Sequence, residues 1–216
     1  MKIMPWSDKI WFSPKFIIDF LAQAGGKANK EQMKRLKEAW ICAVSMICRA
    51  QVERAEYWLQ LPRRDPPDIL AMKLVPTPNG TDKDISRLKV EVFELSQHDS
   101  EPIAESIKRK LKNQDYAGFV VIGFLMRASP IDYAGLTEAI RKASPKVGAL
   151  SLLVHERLDG STVMTYIQLY PKFAKVKFDF GKYCKESRQD DYIVLRRSGT
   201  LRTDTDSRNG SPTVVP

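Results

Sequence analysis

Asp68 and Glu91 are the residues of this 216-residue chain whose type and spacing most readily suggest chemistry. Asp68 closes the stretch PRRDPPD and opens the apolar run ILAMKLV; Glu91 stands 23 positions later, in the middle of LKVEVFELS. Each proline pushes its predecessor into extended or turn geometry, so Asp68 is expected at the mouth of a strand and Glu91 in the next one. Two carboxylates on neighbouring strands, aimed at the same sheet end, could hold a divalent ion that polarises a phosphate oxygen and lowers the pKa of a bound water. A strand offers such groups with little conformational freedom. Other metal chemistry lacks ligands: His98 and His155 lie 57 positions apart, and Cys42, Cys48 and Cys184 contain no CxxC pair. A zinc finger or His-rich zinc site is therefore disfavoured, and magnesium or manganese held by carboxylates is the metal chemistry left open. Cys42 and Cys48, six positions apart, point to different faces of a helix and read as small buried hydrophobes in a reducing compartment. Neither a GxxxxGK[ST] loop nor a GxGxxG turn occurs, which counts against nucleotide hydrolysis and dinucleotide binding.

The elements that must position these groups follow from periodicity and punctuation. Ser13 with Pro14 starts a short amphipathic helix that Gly25-Gly26 ends. Asn29 and Gln32 form a capping box for one long helix, Lys30 to Leu61, with Met33, Leu36, Trp40, Val44, Ile47, Ala55 and Leu59 as its stripe. The sheet is expected to begin only after it, with DILAMKLV and LKVEVFELS as a long-looped hairpin. A helix from about Glu101 to Asn113, with Ser100 as N-cap, precedes the unbroken apolar run GFVVIGFLM, a strand buried on both faces and hence central and parallel. A helix from Asp132 to Ala143 leads to a hairpin of GALSLLVHERL and TVMTYIQLY around Asp159-Gly160, then an alternating strand from Phe173 to Phe180. The whole is an α/β fold, a mixed central β-sheet flanked by helices. Residues 1–28 form a helical appendage, 29–195 the main domain, and 196–216, rich in Ser, Thr, Asp and Gly, a disordered tail.

Composition agrees. The chain is 43% hydrophobic, enough for one real core. No run approaches about 18 apolar residues, and MKIMPWSDKIWF lacks a signal peptide's apolar centre, so a cytoplasmic protein without a membrane span is expected. Thirty-five Lys and Arg against 26 Asp and Glu give +9, which draws the chain toward polyanions such as nucleic acid. The basic residues are not all equally informative. Lys30, Lys34, Arg35 and Lys37 oppose the dipole of the long helix and read as a solvated face, with phosphate contact, at Lys34 in particular, the sharper alternative. Lys108, Arg109, Lys110 and Lys112 complement the dipole at the end of theirs. Lys175 and Lys177 occupy the solvent side of the late strand, open to phosphate.

From Lys30 to Pro171 the chain resembles the PD-(D/E)XK, or restriction-endonuclease-like, superfamily of metal-dependent nucleases. PPDILAMK (Pro66 to Lys73) followed by KVEVFEL (Lys89 to Leu95) is similar to the Pro-Asp and acidic strands of Holliday-junction resolvases and related enzymes. The resemblance implies a restriction-endonuclease-like sheet, with Asp68 and Glu91 as ligands of magnesium or manganese and a helix glutamate joining them. Glu56 lies nearer to Asp68 in sequence, while Glu38 has a spacing closer to the resolvase pattern. The family places a lysine two residues after the acid, where this chain has Phe93. Some relatives carry it on the following helix, which nominates Lys110 with Lys108 close behind, and Lys89, two positions before Glu91, is another substitute. The implied activity is phosphodiester hydrolysis in DNA or RNA by an endonuclease. A nuclease fold without hydrolysis, serving as a nucleic-acid-binding or assembly module, is the second reading, and a protein-binding scaffold the third. Nucleic acid is the expected partner, a second copy of the chain a further candidate, and a membrane is not expected.

Overall fold

The computed structural model describes residues 9–24, 29–62, 67–77, 83–95, 102–112, 115–126, 131–155, 162–187, 189–195 and 201–203. In chain order these form β1 (Ile10–Phe12), α1 (Pro14–Ala24), α2 (Lys30–Glu53), β2 (Glu56–Gln60), β3 (Ile69–Pro76), β4 (Lys83–Leu95), α3 (Ile103–Lys112) and β5 (Tyr116–Met126). There follow α4 (Tyr133–Ala143), β6 (Val147–His155), β7 (Val163–Tyr170), β8 (Ala174–Asp179), α5 (Phe180–Glu186), β9 (Tyr192–Leu195) and β10 (Leu201–Thr203). The strands make one sheet in the order β10-β9-β1-β2-β3-β4-β5-β6-β7-β8. Only β4, β5 and β6 run parallel to one another; the other pairings are antiparallel.

The position of α2 organises the fold. Asn29 and Gln32 close the expected capping box by accepting each other's amides at 2.9 and 3.0 Å. From Ile41 to Cys48 every residue is buried, and a helix buried around its whole circumference must be enclosed by other elements. The sheet supplies the enclosure by curling. Phe12, Tyr57, Leu59, Ile69, Ala71, Val90, Val92, Ile122, Leu153, Met164, Tyr166 and Phe178 join α2 in one apolar cluster drawn from β1 through β8. Burial of each large side chain contributes about 1.5–3 kcal/mol. Trp40 of α2 meets Phe124 and Phe180 edge-on at 6.0 and 5.4 Å, which ties α5 to the same interior. On the convex face α3 and α4 cover β4 to β7 through Ile107, Leu136 and Ile140 against Leu95, Val121, Leu125, Leu152 and Ile167.

Three sequence expectations are corrected. The long helix ends at Glu53 rather than Leu61, because Arg54 turns left-handed (φ 49°) and Glu56–Gln60 forms β2, paired with β3. Tyr57 and Leu59 face α2 while Trp58 faces the opposite cluster, so strand alternation fits the same apolar residues that a helical stripe had fitted. The sheet starts at β1 rather than after α2. Phe12 pairs with Leu59 and Ile10 to Phe12 pair with β9, so this segment is a sheet interior and not an appendage. Within the expected disordered tail, Leu201–Thr203 pairs with β9. α5 and β9 had no counterpart among the sequence expectations, and Phe180, expected to end the late strand, begins α5; the other expected elements are present. α1 is capped by Ser13, whose hydroxyl accepts the Phe16 amide, β3 and β4 pair antiparallel, β5 is flanked by parallel neighbours, and β6 and β7 pair antiparallel. Ser100, Asp159 and Gly160 lie outside the described residues. Among the described residues no helix is long and apolar enough to cross a membrane.

Arg54 holds the left-handed cap with an exposed side chain. A non-glycine residue there costs about 1 kcal/mol, part of which glycine returns through its own chain entropy. Arg54→Gly is expected to raise the unfolding free energy by up to about 1 kcal/mol, seen as a higher urea midpoint at unchanged slope.

Candidate functional site

The β3–β4 ladder runs from Pro76↔Lys83 to Ile69↔Val90, and the next step of the same register sets Asp68 opposite Glu91. Val90 and Val92 belong to the concave core, so Glu91 between them takes the convex side with Phe93 and Leu95. Asp68 stands where β3 has not yet begun, and its Oδ2 accepts the Val92 amide at 3.0 Å. The carboxylate thus continues the ladder past the end of the strand, which anchors the side chain at the β4 edge.

A phenol gives an independent sign that the two acids converge. Tyr116, the first residue of β5, has its hydroxyl pKa pushed up by burial and then by the charges of Glu91 and Asp68. Its ring meets Phe119 edge-on at 6.0 Å, and the ammonium of Lys89 sits 5.4 Å above the Phe119 ring. Lys89, two positions before Glu91, shares its face of the strand. Asp68, Glu91, Tyr116, Phe119 and Lys89 are therefore brought together, with Tyr116 and Phe119 absent from the sequence-based set. The signal for Tyr116 was available only as its position at the start of the central parallel strand.

The two helix glutamates separate. Glu56 is not on the helix at all: it begins β2 opposite Leu74, six residues along β3 from Asp68 and so roughly 20 Å away. It accepts from the Trp58 indole at 2.7 Å and from Lys83 at 2.6 Å. The expected metal role of Glu56 is thereby corrected. Glu38 lies on the side of Asp68. Cys42, one turn further along α2, has its thiol pKa raised by burial and then by the charge of Asp68. Glu38 is mostly buried and lies 3.5 Å from Lys34. Among the described residues no three His, Cys, Asp or Glu side chains gather closely enough to hold an ion, so the strand pair would contribute two carboxylates and leave the other positions to water and phosphate, as magnesium accepts.

The lysines divide similarly. The ring of Phe93 packs over Gly123, about 3.1 Å from where a Cβ there would stand, so the family's lysine position is filled by core. On α3, Ile103 and Ile107 face inward, and Lys108 lines a cleft against α4. Lys110, about 200° further round the helix, is exposed and is not among the residues lining that cleft. Lys34 is held by Glu38, Arg35 donates to the Pro62 carbonyl at 2.7 Å, and Lys37 pairs with Glu94. Lys175 lies 4.3 Å over the Tyr133 ring, and both it and Lys177 belong to β8, four strands from β4 and hence roughly 19 Å from the acids. The structure does not bring them to the site. His98 and Asp99 lie outside the described residues; His155 ends β6.

A second polar group, unread in the sequence, links α2 to the sheet at the far end from Asp68. Glu53 accepts from Arg49 at 2.6 Å, Tyr57 at 2.6 Å and Lys73 at 2.7 Å. No family model, no curated protein and no solved structure matches this chain.

Burial alone would raise the carboxyl pKa of Glu53, but the bonds from Lys73, Tyr57 and Arg49 outweigh it and hold the group below the usual range. A depressed folded value adds stability above the ordinary glutamate pKa, about 4.3, which is lost as pH falls through the folded value. Glu53→Gln is expected to cost about 2 kcal/mol at neutral pH. In denaturation measured across pH, its gap to the parent should close on acidification below that range.

Proposed function

We propose that this chain is a restriction-endonuclease-like domain that binds nucleic acid and hydrolyses phosphodiester bonds with magnesium or manganese. The observation that carries the reading is the placing of Asp68 across from Glu91 at the β3–β4 ladder's end, with the Asp68 carboxylate bonded to the Val92 amide. The order α2, antiparallel β2-β3-β4, α3, then β5 parallel to β4 supports it by making the two motif strands direct neighbours. When bound, the ion supplies a Lewis acid for a phosphate oxygen and a more acidic water. Asp68, pre-oriented by the Val92 amide, and Glu91 would hold it through hard oxygens suited to these metals. Lys89, on the same face of the strand as Glu91, and Lys110, exposed near the end of α3, are the cations proposed to stabilise charge developing on the phosphoryl oxygens where Phe93 replaces the lysine.

The packing of Phe93 against Gly123 favours one alternative, a nuclease fold without hydrolysis that binds or assembles on nucleic acid. The two are separated by Asp68→Asn and Glu91→Gln, assayed on duplex, single-stranded and branched substrates with either metal. Asparagine can still accept the Val92 amide, so stability should change by less than about 1 kcal/mol while the carboxylate charge is lost. Both variants are expected to abolish cleavage. Undiminished metal-dependent cutting by both would refute the assignment; salt-sensitive binding without product from the parent chain would select the alternative.

A further inference from the structure

The C-terminal ends of α3 and α4 and the starts of β5 and β6 line an open cleft of about 960 Å³. Its walls carry Lys108, Lys112, Lys146 and Ser144, and its floor is apolar, with Leu111 and Ile140 among the lining residues. Lys108 is ion-paired to Glu105 at 2.7 Å. Lys112 and Lys146 are exposed and have no acidic partner among the described residues. Among the described lining residues the carboxylate is that of Asp115, which accepts the Ala117 amide at 3.0 Å. Helix-dipole matching accounts for Lys112 at the end of α3. It does not account for Lys146, which precedes β6 outside any helix.

Backbone geometry joins the cleft to the acids. Tyr116 pairs with Val147, the neighbour of Lys146, and a bulge between Tyr116 and Val120 follows, with Gly118 at φ +76°. Gly148 permits the close approach, since a Cβ there would stand 3.0 Å from the carbonyl carbon of Gly118. Tyr116 therefore lies between cleft-lining Asp115 and Ala117 in sequence, beside Lys146 across the ladder, and within the field of Glu91 and Asp68.

We infer that the α3–α4 cleft is a track for one strand of nucleic acid, with Lys112 and Lys146 as its phosphate contacts and Tyr116 at its junction with the carboxylate pair. A volume at the upper end of ligand-sized pockets matches a few nucleotides of a single strand. Lysines above an apolar floor match phosphates and base faces respectively. The direction of the track rests on the nuclease reading; its charge chemistry does not.

The test is binding of a dT12 oligonucleotide, followed by fluorescence anisotropy over a salt series in the absence of metal. Lys112→Gln/Lys146→Gln should weaken binding by about tenfold and lower the slope of log affinity on log salt by roughly 1.4, that is about 0.7 per phosphate contact. Lys175→Gln/Lys177→Gln, an equal loss of charge on β8, should leave the slope unchanged. Equal effects of the two variants, no effect of the first, no binding by the parent chain, or tighter binding of a matching duplex would each overturn the inference. Loss of metal-dependent cleavage with this binding pattern intact would remove the hydrolytic reading and leave the track standing.

Discussion

The enclosure of α2 is the constraint on which the other arrangements depend. Residues 41–48 turn apolar or small side chains to every side of the helix, and no single sheet face can cover such a surface while remaining flat. The sheet curls until strands as distant in its order as β2 and β8 both touch the helix, and α1 and α5 close the open side. Ala39 and Ala43 are fully buried with the larger residues, which lets strands approach the helix axis closely. Cys42 and Cys48 find burial on different sides of the same helix for this reason, and burial pushes both thiols upward, Cys48 to about 12. They are core residues rather than nucleophiles.

Curling around α2 also decides how the site is built. The concave face is filled by the helix, so groups alternating with core positions on β4 are driven to the convex side, where α3 lies alongside. Glu91 and Lys89 reach that side by parity alone, and Phe93 follows them into the packing beneath α3. Asp68 escapes the parity rule because it precedes β3, which leaves its carboxylate able to bond the β4 backbone and to influence both Cys42 on one side and Tyr116 on the other. The sheet end thus joins two faces that are elsewhere separated by the strands themselves.

The net charge of +9 resolves into unlike parts. Near the start of α2, Lys34, Arg35 and Lys37 each have a structural partner, and Lys73 and Arg49 are committed to Glu53. Lys175, on the edge strand β8, lies over the Tyr133 ring of α4. What is left facing solvent near the carboxylates is concentrated on the C-terminal half of α3 and before β6, where parallel strands begin and loops open a cleft. A total charge cannot express this, since the field of a paired charge at a ligand is largely offset by that of its partner, whereas an unpaired one acts in full.

Short-range physics was legible in the sequence. Caps at Ser13 and Asn29, the extended conformation after the prolines, the doubly buried run of β5 and the alternation of β8 each depend on a few neighbouring residues, and each is present. Asp68 and Glu91 were readable for the same reason, because their places at a strand mouth and in a strand centre follow from adjacent residues. What sequence could not decide was any choice settled by a distant partner. Tyr57 and Leu59 suit a helix stripe and a strand face equally, and only pairing with β3 selects the strand and carries Glu56 away from Asp68. Glu53 looks like an ordinary helix glutamate until Lys73 arrives from β3, and Tyr116 like an ordinary strand start until β4 brings Glu91 beside it. Local propensity ranks conformations by fractions of a kilocalorie per residue, whereas burial and ladder pairing across the curled sheet contribute kilocalories at a time, and it is the larger energy that places side chains in three dimensions.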